Sequence, residues 1–296
     1  MVKLTDQRNI VINNWLALKP EYLIHPKISG NKYRKIKYNL IEAQQLNKDR
    51  LLTFGGAFSN HIAAVAAAGK TCGFSTVGII RGEELIDKID ENPTLRFAQE
   101  CGMDFKFVSR EMYRNATSAA FMDSLKEAYG DFYLLPEGGT NALAVKGCEE
   151  ILNDTDTEFD YICCSVGTGG TISGLINSSK PHQKILGFPA LKGGFLRDEI
   201  AKFATKSNWE LVEDYHFGGY AKINTDFISF INAFKSTYNV PLDPIYTGKM
   251  LYGIFDLMKK GYFPKSSKVL AIHTGGLQGI EGMNLKLKQK KMPLIL

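Results

Sequence analysis

"SVGTGGTISG", residues 165–174, places four glycines in ten positions directly after the apolar run Tyr161–Val166 and before a helical pattern. A strand that ends in small residues lets the backbone come close to a ligand. The helix that follows offers unpaired N–H groups and a partial positive charge. The stretch therefore reads as an anion cradle, best suited to phosphate held by backbone N–H groups and not by a lysine. The plain alternative, a tight strand-to-helix turn with no ligand, needs fewer glycines. A dinucleotide fingerprint would require Gly where Ile172 stands and an acid where Phe188-Pro189 ends the next strand, so NAD is disfavoured.

Outward from that turn the same order recurs. Strand patterns fall at Leu51–Phe54, Thr76–Ile80, Asp104–Val108, Phe132–Leu135, Tyr161–Val166, Lys184–Phe188 and Val269–His273, with helical patterns between most of them. Such alternation predicts an α/β protein whose parallel strands are covered on both faces, and this many strands suit two open sheets better than one. Ligands of open α/β sheets bind beyond the carboxyl ends of the strands. Three further Gly-rich turns sit at such ends: "TFGGAFSNH" (53–61), "LPEGGTNA" (135–142) and "IHTGG" (272–276). "AVAAAGKT" (64–71) imitates a phosphate-binding loop but has Ala64 where the first glycine belongs, and reads as an Ala-rich helix ending at a Gly cap.

Composition narrows the function. The 296 residues are 44% hydrophobic and 23% charged, ordinary globular usage, with a net charge of only +5. Basic residues are scattered apart from residues 27–37 and the run "KLKQKK" near the C-terminus, which reads as a solvated helix face, so nucleic acid is not an expected partner. No apolar run approaches the roughly 20 residues that cross a bilayer, and Met1 to Asp6 lack the apolar core of a signal peptide, so a cytoplasmic location is expected. The five cysteines show no metal-ligand spacing and read as reduced, buried thiols; no metal is expected.

Two clusters carry candidate chemistry. Ser59, Asn60 and His61 open the Ala-rich helix after a Gly-Gly turn. One of them can be a simple N-cap, but three polar groups with the helix N–H groups suit a carboxylate. No G-x-S-x-G surrounds Ser59, so it is not in a nucleophile elbow. "HPKISGNKYRKIKYN" (25–39) holds five Lys and Arg. Arg34, Lys35 and Lys37 read as a solvated face, whereas Lys32 follows Gly30-Asn31 and opens a helix in a chain that already carries a phosphate cradle. A phosphate site with a reactive amine points to pyridoxal phosphate, whose aldehyde forms a Schiff base with lysine.

Six motifs, "GNKYRK", "GGAFSNH", "EGGTN", "VGTGGTISG", "DPIYTGK" and "HTGG", occur in this order from about Pro26 to Gly276. Together they resemble the 1-aminocyclopropane-1-carboxylate deaminase and D-cysteine desulfhydrase family, pyridoxal phosphate enzymes of the tryptophan synthase β-subunit fold (fold type II). The resemblance implies a homodimer with the cofactor in the cleft between two open parallel-sheet domains. The larger domain would comprise residues 1–37 and 142–296, the smaller residues 38–141. It implies that Lys32 is the Schiff-base lysine and that Asn60 bonds the cofactor's 3'-oxygen. Ser59, Asn60 and His61 would hold the substrate carboxylate. The phosphate loop would be Gly167, Thr168, Gly169, Gly170 and Thr171. Tyr246 and Thr247 would lie beside the substrate and the pyridine nitrogen, and Tyr220 would be a second active-site tyrosine. The stretch that relatives carry as K-R-D-D-L before the lysine is "LIHPKIS" (23–29) here, a change in the wall of the site.

Lys32, alone or with Ser59, is expected to move the α-proton, with Tyr246 and Tyr220 as orienting or proton-passing groups. The deaminases carry Glu where this chain has Thr247 and Gln where it has His61. A carboxylate keeps the pyridine nitrogen protonated, whereas Thr247 can only hydrogen-bond, which gives weaker electron withdrawal. Ring opening of a cyclopropane needs more withdrawal than loss of a β-thiolate. The residues therefore point to β-elimination from a small amino acid, with D-cysteine giving sulfide, ammonia and pyruvate. The alternatives are the deaminase reaction and a pyridoxal phosphate-binding protein without turnover.

Overall fold

The structure, a computed structural model, describes residues 8–296. The expectation about Met1 to Asp6 therefore lies outside the described residues. The chain begins with strands Ile10–Val11 (β1) and Leu16–Lys19 (β2), followed by helix Asn31–Gln45 (α1). Strand Arg50–Gly56 (β3), helix Asn60–Cys72 (α2), strand Ser75–Arg81 (β4), helix Pro93–Glu100 (α3) and strand Met103–Val108 (β5) come next. Two helices, Arg110–Arg114 (α4) and Ala119–Tyr129 (α5), lead to strand Tyr133–Leu135 (β6) and helix Ala142–Glu149 (α6). The chain continues through strand Tyr161–Val166 (β7), helix Gly170–Ser178 (α7), strand Lys184–Pro189 (β8), helix Phe195–Ala201 (α8) and strand Trp209–Leu211 (β9). It closes with helices Thr225–Tyr238 (α9) and Thr247–Lys259 (α10), strand Val269–Ile272 (β10) and helix Gly279–Gln289 (α11).

Two sheets form. One is ordered β5-β4-β3-β6, all parallel; the other is β1-β2-β10-β7-β8-β9, parallel except for the β1–β2 pair. The α/β architecture of two open parallel sheets is as expected. Central strands such as β7 are buried on both faces, which explains the near-continuous apolar runs. All seven expected strands are present, and β1, β2 and β9 are additional. β2 escapes the pattern because it ends in Lys19, which is buried and paired with Asp156 at 2.5 Å. The strands of the second sheet come from residues 10–19 and 161–272, and those of the first from residues 50–135. The expected domain boundary at 37/38 falls inside α1.

Helices α1, α6 and α7 stack where small residues let them approach. A Cβ at Gly147 of α6 would lie 2.0 Å from the Arg34 carbonyl oxygen in α1. One at Gly174 of α7 would lie 2.5 Å from the Cβ of Cys148. The Ala-rich segment is α2, as expected, but Gly69 lies inside the helix and the left-handed cap is Gly73 (φ 81°). Cys72, Cys101, Cys148, Cys163 and Cys164 are free thiols; the last three are buried, the first two only partly. No described helix is long and apolar enough to cross a membrane.

Candidate active site

The Gly-Asn-Lys motif is fixed by one close approach. Gly30 has φ 63°, and a Cβ on it would sit 1.9 Å from the Thr274 carbonyl oxygen, so only glycine fits. The Asn31 N–H donates to that same oxygen at 3.1 Å, and the Asn31 amide donates to Thr171 Oγ1 at 2.8 Å. Lys32 therefore begins α1 against the turn after β10 and the start of α7. These are neighbouring strand ends of one sheet, where a ligand crevice belongs. Burial, followed by the charge of Lys35, pushes the Lys32 amine down to about 7.

Gly169 (φ 86°) is the cap of α7, so the free N–H groups of its first turn face the cradle of residues 167–171. A lysine also stands there. Lys35 is 2% exposed, and its ammonium donates to Gly138 O at 3.0 Å, Thr140 Oγ1 at 2.9 Å and Thr168 Oγ1 at 3.3 Å. Thr140 and Thr168 hydroxyls are 2.6 Å apart, joining "EGGTN" to the loop. The reading of Arg34, Lys35 and Lys37 as a solvated face is corrected: α1 packs against both α6 and α2, which leaves Lys35 buried and Arg34 and Lys37 partly buried. Arg34 is paired with Glu21 at 2.9 Å and Lys37 with Glu150 at 2.6 Å. The expectation of a cradle without a lysine is amended by Lys35.

Ser59 is the N-cap of α2; its Oγ accepts from the N–H groups of His61 (3.2 Å) and Ile62 (3.3 Å). Two of the N–H groups offered to a carboxylate are thus taken by Ser59 itself. Asn60 lies beside the "HTGG" turn: its Oδ1 accepts from Gln278, and a Cβ at Gly276 would be 2.7 Å from its Nδ2. His61 is buried, its Nε2 2.9 Å from Thr53 Oγ1 and its ring against Gly139. Burial and the charges of Lys32 and Lys35 hold it well below the usual histidine range, as a neutral imidazole.

The far wall comes from α10. Tyr246 caps this helix, and its ring lies 3.2 Å from where a Gly167 Cβ would stand. Tyr220 meets Tyr246 edge-on with centroids 6.3 Å apart. Thr247 is fully buried, and its hydroxyl has no hydrogen-bond partner among the described residues. Asp243, also buried, accepts from the N–H groups of Ile245 (2.9 Å), Tyr246 (2.8 Å) and Thr247 (2.8 Å). Among the described residues no group of His, Cys, Asp and Glu is arranged to hold a metal ion.

Residues 2–275 match the model of the pyridoxal-phosphate dependent enzymes. This chain belongs to that family. A relative from Pyrococcus furiosus named putative 1-aminocyclopropane-1-carboxylate deaminase is 32% identical, covering 85% of this chain and 82% of its own. The Arabidopsis thaliana protein named bifunctional D-cysteine desulfhydrase/1-aminocyclopropane-1-carboxylate deaminase, mitochondrial, is 31% identical, covering 90% of this chain and 73% of its own. The crystal structure of an ACC deaminase homologue superposes with a TM-score of 0.79 at 28% identity, over 93% of this chain and 88% of that one. The resemblance carried by the six motifs is borne out, the fold is type II, and the cofactor is pyridoxal phosphate.

The residues fit that group. The unpartnered Thr247 hydroxyl is a buried polar atom that lacks only its partner, a costly state in its absence. The Gly-rich cradle with the Lys35 ammonium suits a phosphate. The turns after β3, β6, β7 and β10 come together, with Asn60 beside Gly276, Thr140 against Thr168, and Asn31 bonded to both Thr171 and Thr274. Sequence reasoning missed Lys35, Thr140, Asp243 and Lys249. Lys35 had a signal, because a residue three positions after Lys32 shares its helix face.

Proposed function

We propose that this pyridoxal-phosphate dependent enzyme catalyses β-elimination on a small amino acid, with D-cysteine as substrate and sulfide, ammonia and pyruvate as products. The observation that carries the reading is Thr247: buried, without a partner, and uncharged. The nearby carboxylate, Asp243, is spent on three backbone N–H groups, so the wall supplies a hydrogen bond but no free negative charge. When bound, pyridoxal phosphate withdraws electrons from the α-carbon of an amino acid, which labilises the α-proton and a β-substituent.

In this reading Gly167, Thr168, Gly169, Gly170 and Thr171, with Lys35, hold the phosphate. Asn60 and Thr247 orient the ring. Lys32 binds the cofactor and, with an amine lowered to about 7, exchanges a proton with the α-carbon at neutral pH. Ser59 accepts two N–H bonds, which leaves its hydroxyl hydrogen free for the substrate carboxylate or the moving proton. Asn60 and His61 belong to the same carboxylate loop. Tyr246 is the substrate-side aromatic, and Tyr220 presents a half-exposed ring opposite it. The Cα–H and Cβ–S bonds break, sulfide leaves, and water hydrolyses the released enamine to pyruvate and ammonia. The larger domain (1–37 and 142–296), the smaller (38–141), a homodimer and a cytoplasmic setting complete the proposal.

The relative bearing both names favours the deaminase reaction as the second reading. Purified protein given D-cysteine and, separately, 1-aminocyclopropane-1-carboxylate distinguishes the two. Sulfide with pyruvate from the first and no 2-oxobutanoate from the second is expected. Deamination of the cyclopropane without sulfide from either cysteine enantiomer overturns the argument from Thr247.

A further inference from the structure

Lys249 is 2% exposed, yet among the described residues no carboxylate pairs with it. Its ammonium donates instead to two backbone carbonyls, His216 O and Gly219 O, each at 2.9 Å. A buried cation without a contacting counter-charge is costly, and a methionine would fill the same space without that cost. What it holds is a turn that ordinary side chains resist. Phe217 (φ 55°), Gly218 (φ 92°), Gly219 (φ 124°) and Ala221 (φ 55°) all lie at positive φ. Two of the four carry a Cβ in a region such residues rarely adopt. The turn is tethered as well by the Phe217 ring, its centroid 4.5 Å from that of Phe227 in a tilted contact and 5.1 Å from that of Tyr252 edge-on, and by N–H bonds from Gly218 and Gly219 to His216. Within this turn sits Tyr220, 42% exposed, facing Tyr246. Lys249 stands two positions after Thr247 on α10, so one helix end carries the buried hydroxyl, the substrate-side tyrosine and the clamp.

We propose that Lys249 is a positioning residue that clamps residues 216–221 through two carbonyls and so holds Tyr220 against Tyr246 over the substrate. The proposal rests on the reading of Tyr220 as a substrate-side group. Burial pushes the Lys249 amine down to about 8 while the charge of Asp243 opposes the shift, so at neutral pH the clamp is mainly the ammonium form. The lysine acts at a distance from the chemistry, on where a ring is, and its loss should be felt only where that ring matters.

The test is a double-mutant cycle in the holoprotein with Lys249→Met, Tyr220→Ala and the pair, read by turnover of D-cysteine and by amide hydrogen exchange. Lys249→Met should lower kcat/KM by roughly tenfold with unchanged cofactor absorbance, an interaction-sized loss of transition-state stabilisation. Exchange at residues 217–221 should quicken while the amides of α10 stay protected. In the Tyr220→Ala background the same change should cost no more than about twofold, because coupled residues are not additive. Losses that multiply, or exchange at 217–221 that does not change, overturn the proposal. If the wild-type protein turns over no amino acid, the functional reading fails while the exchange measurement still decides the clamp. Should Lys249→Met not fold, Lys249→Gln takes its place. Its shorter, neutral side chain cannot reach both carbonyls as the ammonium does, and the same cycle and exchange readings then support or overturn the clamp.

Discussion

The Lys35 ammonium stands 3.3 Å from Thr168 Oγ1, one helical turn beyond Lys32 on α1. A charge in that place changes the character of the cradle: the phosphate would be met by a cation as well as by backbone N–H groups.

Lys35→Met should therefore weaken cofactor binding on the order of 10- to 100-fold, the size of a charge-assisted hydrogen bond. Titrating apoprotein with pyridoxal phosphate and following the absorbance checks this. Retention within twofold of wild type would move the phosphate away from Thr168.

Lys32 should be set apart from every surface lysine by pH. Its amine is lowered to about 7 from the ordinary 10.5, so covalent labelling of apoprotein at Lys32 should be half-complete near pH 7. Between those two values the folded chain binds fewer protons here than the unfolded chain, so this amine's contribution makes stability rise with pH across that window. Lys32→Met should accordingly raise the apoprotein's Tm most below pH 7 and least above pH 10. Peptide mapping that finds the first label on Lys35 or Lys37 would contradict the assignment.

Thr247→Val should have opposite effects on the two forms of the protein. In apoprotein it removes a buried hydroxyl without a partner, so stability should rise by about 1 kcal/mol or stay level. In holoprotein it would remove the proposed hydrogen bond to the ring, so cofactor affinity should fall. Thr247→Glu should be harder to accommodate, because the new carboxylate would crowd buried Asp243 and one of the two would keep its proton. Thermal melts of both forms, with cofactor titration, read out all of these effects. A destabilised apo Thr247→Val protein would mean that the hydroxyl has a partner after all.

Two glycines at positive φ should differ sharply when changed to Ala. Gly73 has φ 81° but open space around it, so Gly73→Ala should cost about 1–2 kcal/mol, the left-handed penalty alone. Gly30→Ala adds a Cβ 1.9 Å from the Thr274 carbonyl and should shift the start of α1. The check is chemical denaturation of both variants, together with the visible-edge absorbance of the holoprotein. Equal costs would mean that the Gly30–Thr274 contact relaxes freely.

The sheets were legible because their strands are apolar on both faces, and every expected strand is present. β2 was not, since Lys19 interrupts its pattern and is neutralised by Asp156, far away in sequence. In the site, turns announced themselves through glycine, and they drew attention to Lys32 and to Ser59, Asn60 and His61, whereas Tyr246 and Thr247 came only with the family resemblance. Charged residues did not announce themselves. Lys35, Asp243 and Lys249 look in sequence like any surface charge, and only the packing of α1 and α10 shows them buried with backbone and hydroxyl partners. The "DPIYTGK" stretch contains two of the three, on either side of Tyr246 and Thr247.

Gly147 belongs to none of the motifs, yet the Arg34 carbonyl oxygen would lie 2.0 Å from any Cβ placed there. Arg34 sits between Lys32 and Lys35, so a side chain on α6 would lever the turn that carries both amines. Variation at this position should then behave as active-site variation does, with loss of cofactor chemistry before loss of fold. Substitutions where α6 packs on α1 call for the same reading as substitutions in the cleft, because the Lys32 amine, proposed to bind the cofactor, is aimed from behind.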